Sequence, residues 1–313
     1  MPAADLGRLL LFAAGIGIVY VIAARELLRM LRDRRRGGTP PGSGIQWARR
    51  AVLALAGSGL LGMAYARFAE PYWLEVRRVR VTSRRLPKDA RPIRIVHLSD
   101  LHCDPAPRLE GRIPDVVAAE RPDLIVFTGD AINAREGLPI FRRCLARLAA
   151  IAPTFAVTGN WDERRWAGAP LFADTGAREL RAEAARIDVA GTPVWVAGLP
   201  AGGANRIDEA LSSVPPGSFT LLLHHFPEDV ESAAGRPVDL CCAGHIHGGQ
   251  VALPFFGAIV TLSRTGKTYE SGLYRVGETW LHVSRGVGME GGLAPRVRFG
   301  ARPEVTVIEA APE

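Results

Sequence analysis

An α/β domain preceded by two N-terminal transmembrane helices is the fold the sequence predicts. Three observations predict it. From Pro92 onward, short apolar runs rich in β-branched residues alternate with helix-like stretches; residues 9–24 and 51–66 form two sixteen-residue runs without a charge; and the turns after the strand-like runs carry aspartate, asparagine and histidine. A 313-residue chain that is 48 % apolar and 23 % charged folds rather than staying disordered. Its four cysteines, Cys103, Cys144, Cys241 and Cys242, include no CxxC pair, which excludes a disulfide-stapled miniprotein and a zinc ribbon.

Leu9–Ala24 and Ala51–Ala66 have no polar face, unlike the helices of a soluble core. At about 1.5 Å per residue each covers roughly 24 Å of a hydrocarbon layer about 30 Å thick, so Arg8, Arg25, Arg49, Arg50 and Arg67 are placed to snorkel at the ends. Between the runs, Arg25–Arg50 holds eight arginines, two acids and the loop-forming stretch GGTPPGSG (Gly37–Gly44). Positive loops stay in the cytoplasm, which puts the N-terminus and everything after Ala66 on the outer side of a cell membrane. Arg49-Arg50 before the second run and Ala64-Tyr65-Ala66 at its end are similar to a twin-arginine export signal with an A-x-A cleavage site, and a cut there would leave the following domain outside as well. Nine basic residues in Arg67–Arg94 work against that asymmetry.

Residues 1–91 hold 17 Lys and Arg against 6 Asp and Glu, a balance of +11, and the remainder holds 22 against 26, a balance of −4. The basicity flanks the apolar runs, so it points to a membrane and no nucleic-acid partner is expected. The expected division is a membrane anchor at 1–70, a basic juxtamembrane segment at 71–91 and the α/β domain at 92–313. Arg77, Arg78, Arg80, Arg84 and Arg85 are then placed to hold the domain against anionic headgroups.

Within the domain, Ile93–Leu98, Leu124–Phe127, Thr154–Val157, Val194–Ala197, Phe219–Leu223 and Val238–Cys242 read as strands, and Leu138–Ala150 and Glu179–Ala185 as helices. The strand-like runs end in Ser99-Asp100-Leu101-His102, Thr128-Gly129-Asp130, Thr158-Gly159-Asn160-Trp161-Asp162, His224-His225-Phe226-Pro227 and Gly244-His245-Ile246-His247. Ligands of open α/β sheets gather at the carboxyl ends of strands, so these five turns are expected to converge on one crevice. Residues two apart on extended chain share a face, which lets Asp100 act with His102 and His245 with His247. Oxygen and nitrogen donors without thiolate suit Mn, Fe, Zn or Co. Five of the seven histidines lie in these turns; His97 and His282 fall inside strands and read as structural, as do Cys103, Cys241 and Cys242.

The ordered motifs DxH (Asp100, His102), GD (Asp130), GN (Gly159, Asn160), a later single histidine and GHxH (Gly244–His247) resemble the calcineurin-like metallophosphoesterase superfamily, in a bacterial membrane-associated or exported branch. The resemblance implies a β-sandwich flanked by helices and a centre of two divalent metal ions. Asp100, His102 and His247 would hold the first and Asn160, His225 and His245 the second, with Asp130 bridging. His225 is preferred to His224 because the family's lone histidine stands two residues before proline, here Pro227. The implied reaction is hydrolysis of a phosphodiester, phosphomonoester or pyrophosphate by a metal-bridging hydroxide. Gln250 and Arg285 are expected to touch the substrate phosphate or a water behind the metal ligands.

The third motif departs from the family. Trp161 stands where a histidine normally protonates or stabilises the leaving oxygen, and an indole has no titrating proton. Either the leaving group needs no proton, or Asp162 or His224 takes the role, or catalysis is weak. The substrate expected near the membrane is a phosphate-containing molecule such as a phospholipid or lipid-linked nucleotide. The branch also resembles enzymes that cleave UDP-diacylglucosamine in lipid A synthesis, a cytoplasmic reaction that conflicts with the orientation above. A metal-binding membrane protein without turnover is the non-enzyme alternative.

Overall fold

The structure, a computed structural model, describes residues 2–35, 42–290 and 295–313. Helix α1 (Ala3–Arg35) and helix α2 (Ser43–Phe68) form an antiparallel pair joined by Tyr20 Oη donating to the Ala56 carbonyl (3.2 Å) and by an Arg49–Glu26 ion pair (2.9 Å). Each is long and apolar enough to cross a membrane, and burial is confined to Asp5 and Ala23 in α1 and to Ala56 and Ala66 in α2. The sixteen-residue runs are the apolar middles of helices of 33 and 26 residues, and the charged residues expected to snorkel lie on the flanking turns of the same helices. Of the expected loop at 37–44, residues 37–41 lie outside the described residues and Ser43-Gly44 already belong to α2.

The domain then follows as β1 (Glu75–Ser83), β2 (Ile93–Leu98), α3 (Ile113–Glu120), β3 (Leu124–Phe127), α4 (Leu138–Ala149), β4 (Thr154–Ala156), α5 (Asn160–Arg165) and β5 (Arg178–Glu179). It continues through β6 (Glu183–Val189), β7 (Thr192–Gly198), α6 (Ile207–Leu211), β8 (Phe219–Leu223), α7 (Val230–Ala233), β9 (Leu240–Ala243), β10 (Ala252–Leu253), β11 (Gly257–Ala258), β12 (Gly272–Val276), β13 (Thr279–Val283) and β14 (Glu304–Pro312). One six-stranded sheet runs β1-β14-β2-β3-β4-β5, the other β12-β13-β9-β8-β7-β6. In the first, β2 to β5 are parallel; in the second, β13, β9, β8 and β7 are parallel.

The sheets pack face to face. Ile93, Ile95, Leu124 and Val126 of the first meet Val194, Val196, Leu221, Leu223 and Leu240 of the second in one apolar layer. The alternate residues of the same strands, such as Val96, Leu98, Ile125 and Phe127, pack outward on α3 and α4, while Leu222, Cys241 and Ala243 pack on α6 and α7. Strands buried on both faces read as unbroken apolar runs, which is why β2, β3 and β8 are found where the sequence puts them. In α4, Phe141, Cys144, Leu145 and Leu148 are buried at helical spacing.

Two expectations are corrected. Glu179–Ala185 is not a helix: its end begins β6, which pairs antiparallel with β7 through a two-residue turn at Ala190-Gly191, both at positive φ (50° and 83°). That turn closes the hairpin, and cross-strand pairing outweighs the helix preference of the Ala- and Glu-rich sequence. Nor is 71–91 a separate basic flank, because β1 is the edge strand of the first sheet, paired in parallel with β14. Arg77, Arg78, Arg84 and Arg85 pair with Glu304, Glu120, Glu313 and Asp239 of the same domain.

Candidate metal centre

The parallel strands of both sheets end along one seam, and the five predicted turns meet there. Among the described residues, twelve non-glycine residues have positive φ, and Asp100, His102, Asp130, His245, His247 and Gln250 are six of them. Left-handed backbone is uncommon for residues with a side chain, and its concentration here marks turns held by their surroundings. Glycines make the turns possible. A Cβ on Gly244 would overlap the side chains of Ser99 and Asp100, and one on Gly159 would overlap Asp130.

Two groups of ligand type result, each with its donor atoms within 4.8 Å of one another: Asp100, His102 and His247, and Asp100, Asp130 and His225. All five residues are buried. Asp130 Oδ2 lies 3.5 Å from His102 Nε2 and 3.4 Å from His225 Nε2, and Asn160 Oδ1 lies 3.0 Å from the latter. His245 packs its ring on His225, with centroids 5.2 Å apart, and its backbone N–H donates to the Asp100 carboxylate at 3.2 Å. Asp100 and His102 therefore do share a pocket, but through left-handed turns and not along extended chain. His245 and His247 divide between the two sides.

The histidine tautomers are set from behind. The Asn133 amide nitrogen donates to the carbonyls of His102 and Met289, which turns Asn133 Oδ1 toward His102 Nδ1 (3.0 Å) and makes that nitrogen the donor. The Thr128 carbonyl, which can only accept, fixes the proton of His225 on Nδ1 at 2.7 Å. In both rings Nε2 is left facing the carboxylates, and His102 Nε2 is buried without a hydrogen-bond partner among the described residues.

Burial pushes His102 down to about 4 and His245 to about 3, and takes His247 well below the usual imidazole range. Neutral imidazoles are the form a metal binds. Burial pushes Asp100 up to about 7, whereas for Asp130 it is outweighed by His225 and His102, which hold the carboxyl below its usual range. Burial also opposes charge on His225, but Asp130 prevails and lifts it to about 10. Asp100 and Asp130 are enclosed carboxylates that face the His225 imidazolium and the buried Arg298 guanidinium. The donor set and the orphaned His102 Nε2 fit a pair of divalent metal ions.

The expected stand-ins for the missing acid are occupied elsewhere. Asp162 receives the N–H groups of Asp130, Ala131 and Gly159 and braces two of the turns against each other. His224 points opposite to His225, with Nε2 3.4 Å from Asp229 and Nδ1 accepting the Phe226 N–H. Trp161 packs edge-on against His102 and donates its indole N–H to Glu290 Oε1 (3.2 Å). Gln250 lines the cavity above His245 and His247 and accepts the Glu290 N–H at 2.6 Å. Arg285 does not, and its guanidinium is bound to Glu304 and Glu75 at 2.6 and 2.8 Å.

Sequence reasoning missed Asn133, Glu290 and Arg298. The fully buried Arg298 guanidinium donates to the carbonyls of Gly288, Ala301 and Arg285, and its backbone N–H caps the Ala66 carbonyl at the end of α2. No local motif announces any of the three, since each acts on partners far away in the chain.

The calcineurin-like phosphoesterase family matches residues 93–249. Over 278 residues the chain is 31 % identical to an uncharacterized metallophosphoesterase of Bacillus subtilis, YkuE, covering 82 % of this chain and 92 % of that protein. It is 31 % identical over 261 residues to the phosphodiesterase YaeI of Escherichia coli, covering 79 % and 92 %. It is 25 % identical over 322 residues to the UDP-2,3-diacylglucosamine pyrophosphatase LpxG of Chlamydia muridarum, covering 82 % and 95 %.

Proposed function

The chain belongs to the calcineurin-like phosphoesterase family and is a metal-dependent phosphoesterase, and from that premise we propose that it hydrolyses a phosphate ester or anhydride at a membrane surface. The observation that carries the reading is the enclosure of Asp100 and Asp130 among histidines whose Nε2 atoms are turned toward them. Asp100, His102 and His247 would hold one cation and Asn160, His225 and His245 the other, with Asp130 common to both. When bound, the cations would acidify a water between them and neutralise charge on the phosphoryl oxygens.

The chain's own groups do the rest. Asn133 and the Thr128 carbonyl keep the imidazoles in one orientation, so no reorganisation is needed when substrate arrives. Trp161 cannot give a proton. It instead holds Glu290, whose carboxyl is pushed upward by burial, at the wall of the cavity above the centre. With Oε1 accepting the indole N–H, Oε2 is the atom left to carry a proton to the leaving oxygen.

Helices α1 and α2 attach the enzyme to the membrane. Asp5 at the start of α1 is bonded to Leu262 and the end of α2 runs directly into the domain, so both of those helix ends lie on the domain side. The arginine-rich ends of the pair point away from it, which supports, by the positive-inside tendency, a domain outside the cytoplasm. The reading is tested with full-length protein and bis-p-nitrophenyl phosphate. Hydrolysis should depend on added Mn, stop with chelator and fall at least ~10³-fold in Asp130→Asn, whereas chelator-insensitive hydrolysis would contradict it. A periplasmic-type reporter fused after Glu313 should be active, and activity of a cytoplasmic reporter alone would reverse the orientation and favour a cytoplasmic lipid-linked nucleotide as substrate.

A further inference from the structure

The metal centre opens into a cavity of about 550 Å³, within the ~300–1,000 Å³ range of small-molecule sites. Its floor includes His245, His247 and Glu290. Its walls are largely apolar: Ile259, Val260 and Leu262 of the segment after β11 and Leu9 and Phe12 of the membrane helix α1 line it, with Arg165 stacked on the Trp161 ring as the cation among them. An anchor needs no such position. A helix whose only task is attachment would not close a wall of the site.

The wall is fixed and not accidental. Asp5, fully buried at the first turn of α1, accepts the N–H of Leu262 at 2.9 Å and of Thr261 at 3.3 Å, and Arg8 pairs with its other oxygen. A carboxylate inserted between helix and loop ties the two halves of the cavity wall to each other. The rim is apolar and open: Leu9 and Leu262 are each 40 % exposed. These side chains continue the bare apolar surface of α1, the surface that faces lipid in a spanning helix.

Resting on the phosphoesterase reading above, we propose that this cavity receives an acyl chain of a lipid whose headgroup phosphate lies at the metal centre, and that α1 is a wall of the substrate site. The floor supplies polar groups for a phosphate and the walls supply burial for hydrocarbon, in one continuous space that opens beside a membrane helix. A water-soluble nucleotide would leave Leu9, Phe12, Val260 and Leu262 without a partner.

The test uses the full-length protein with Mn in detergent and a series of alkyl p-nitrophenyl phosphate diesters from ethyl to tetradecyl. kcat/KM should rise about fourfold per added methylene and then level off when the cavity is filled. In a second arm, Leu9→Cys is labelled with a water-soluble maleimide; the native cysteines are at most 3 % exposed and contribute little background. Dodecylphosphonate should slow that labelling at least tenfold and methylphosphonate should not, while labelling of Glu278→Cys, on a side chain 85 % exposed in the β12–β13 turn, should respond to neither. A flat chain-length series, or equal protection by the two phosphonates, overturns the proposal while leaving the phosphoesterase reading intact. Absence of hydrolysis across the whole series sinks the phosphoesterase reading instead, and the labelling arm still decides whether the cavity takes a chain.

Discussion

Asp130 Oδ2 lies 3.4 Å from Nε2 of His225, across the seam where the two sheets meet. Asp130 follows β3 of one sheet and His225 follows β8 of the other, so their approach requires both sheets to be in register. His102 approaches the same oxygen at 3.5 Å from the other side. A carboxylate oxygen placed between two imidazoles, with a second buried carboxylate nearby, is the arrangement from which the chemistry follows. It also makes the site a measure of how well the halves of the fold are assembled.

Asn133→Ala should weaken Mn binding by 10- to 100-fold, because His102 loses the acceptor that fixes its tautomer and Nε2 no longer faces the carboxylates. Titration by calorimetry reads this. The melting temperature of the metal-free protein should change much less than the affinity, and unchanged affinity would show that Asn133 plays no part in ordering His102.

Glu290→Gln should lower kcat by about 10²- to 10⁴-fold on esters with alkyl leaving groups and by less than tenfold on nitrophenyl esters, whose oxygens leave without a proton. The wild-type dependence of kcat on leaving-group pKa should be shallow and that of the variant steep. A steep wild-type dependence would show that the chain supplies no acid and would restore the alternative of a leaving group that needs none.

Gly244→Ala should abolish metal binding, because the added methyl overlaps the side chains of Ser99 and Asp100 and the turn carrying His245 must move. Gly217→Ala meets no atom but sits at positive φ, so it should cost some stability and leave metal content unchanged. Metal analysis of the two purified variants separates site geometry from general strain.

Stability should fall as the solution is acidified below about pH 6.5. Burial pushes His282 down to about 3 from its ordinary 6.5, and burial together with His282 takes His97 well below that value; the two rings meet Nδ1 to Nδ1 at 2.8 Å. Both are therefore neutral when folded and take up protons on unfolding. Their contribution is complete above pH 6.5 and is lost as pH falls, at about 1.4 kcal/mol per pH unit for each ring. His282→Leu should be less stable at pH 7 yet show a shallower loss of melting temperature between pH 6.5 and 5; an equal or steeper loss would contradict this.

How much of this is legible in the sequence depends on whether a feature is local. The parallel strands are bounded to the residue at β2, β3 and β8 because burial on both faces leaves an uninterrupted apolar run. The ligand turns are legible because Asp, His and Asn recur just after those runs, although the left-handed backbone that aims them is not. Glu179–Ala185 misleads, since composition favours a helix and only the pairing partner decides otherwise. The supporting groups are hidden for a different reason. Thr128 acts through its carbonyl, Arg298 and Asn133 through contacts across the fold, and Glu290 through an indole that stands in an acid's usual place.

The measurement that tests the account most directly is anomalous diffraction from the Mn-loaded full-length protein. Two peaks, one beside Asp100, His102 and His247 and one beside Asn160, His225 and His245, with an Asp130 oxygen within ligand distance of both, are the predicted result. A single peak, or two peaks that Asp130 does not join, would contradict it.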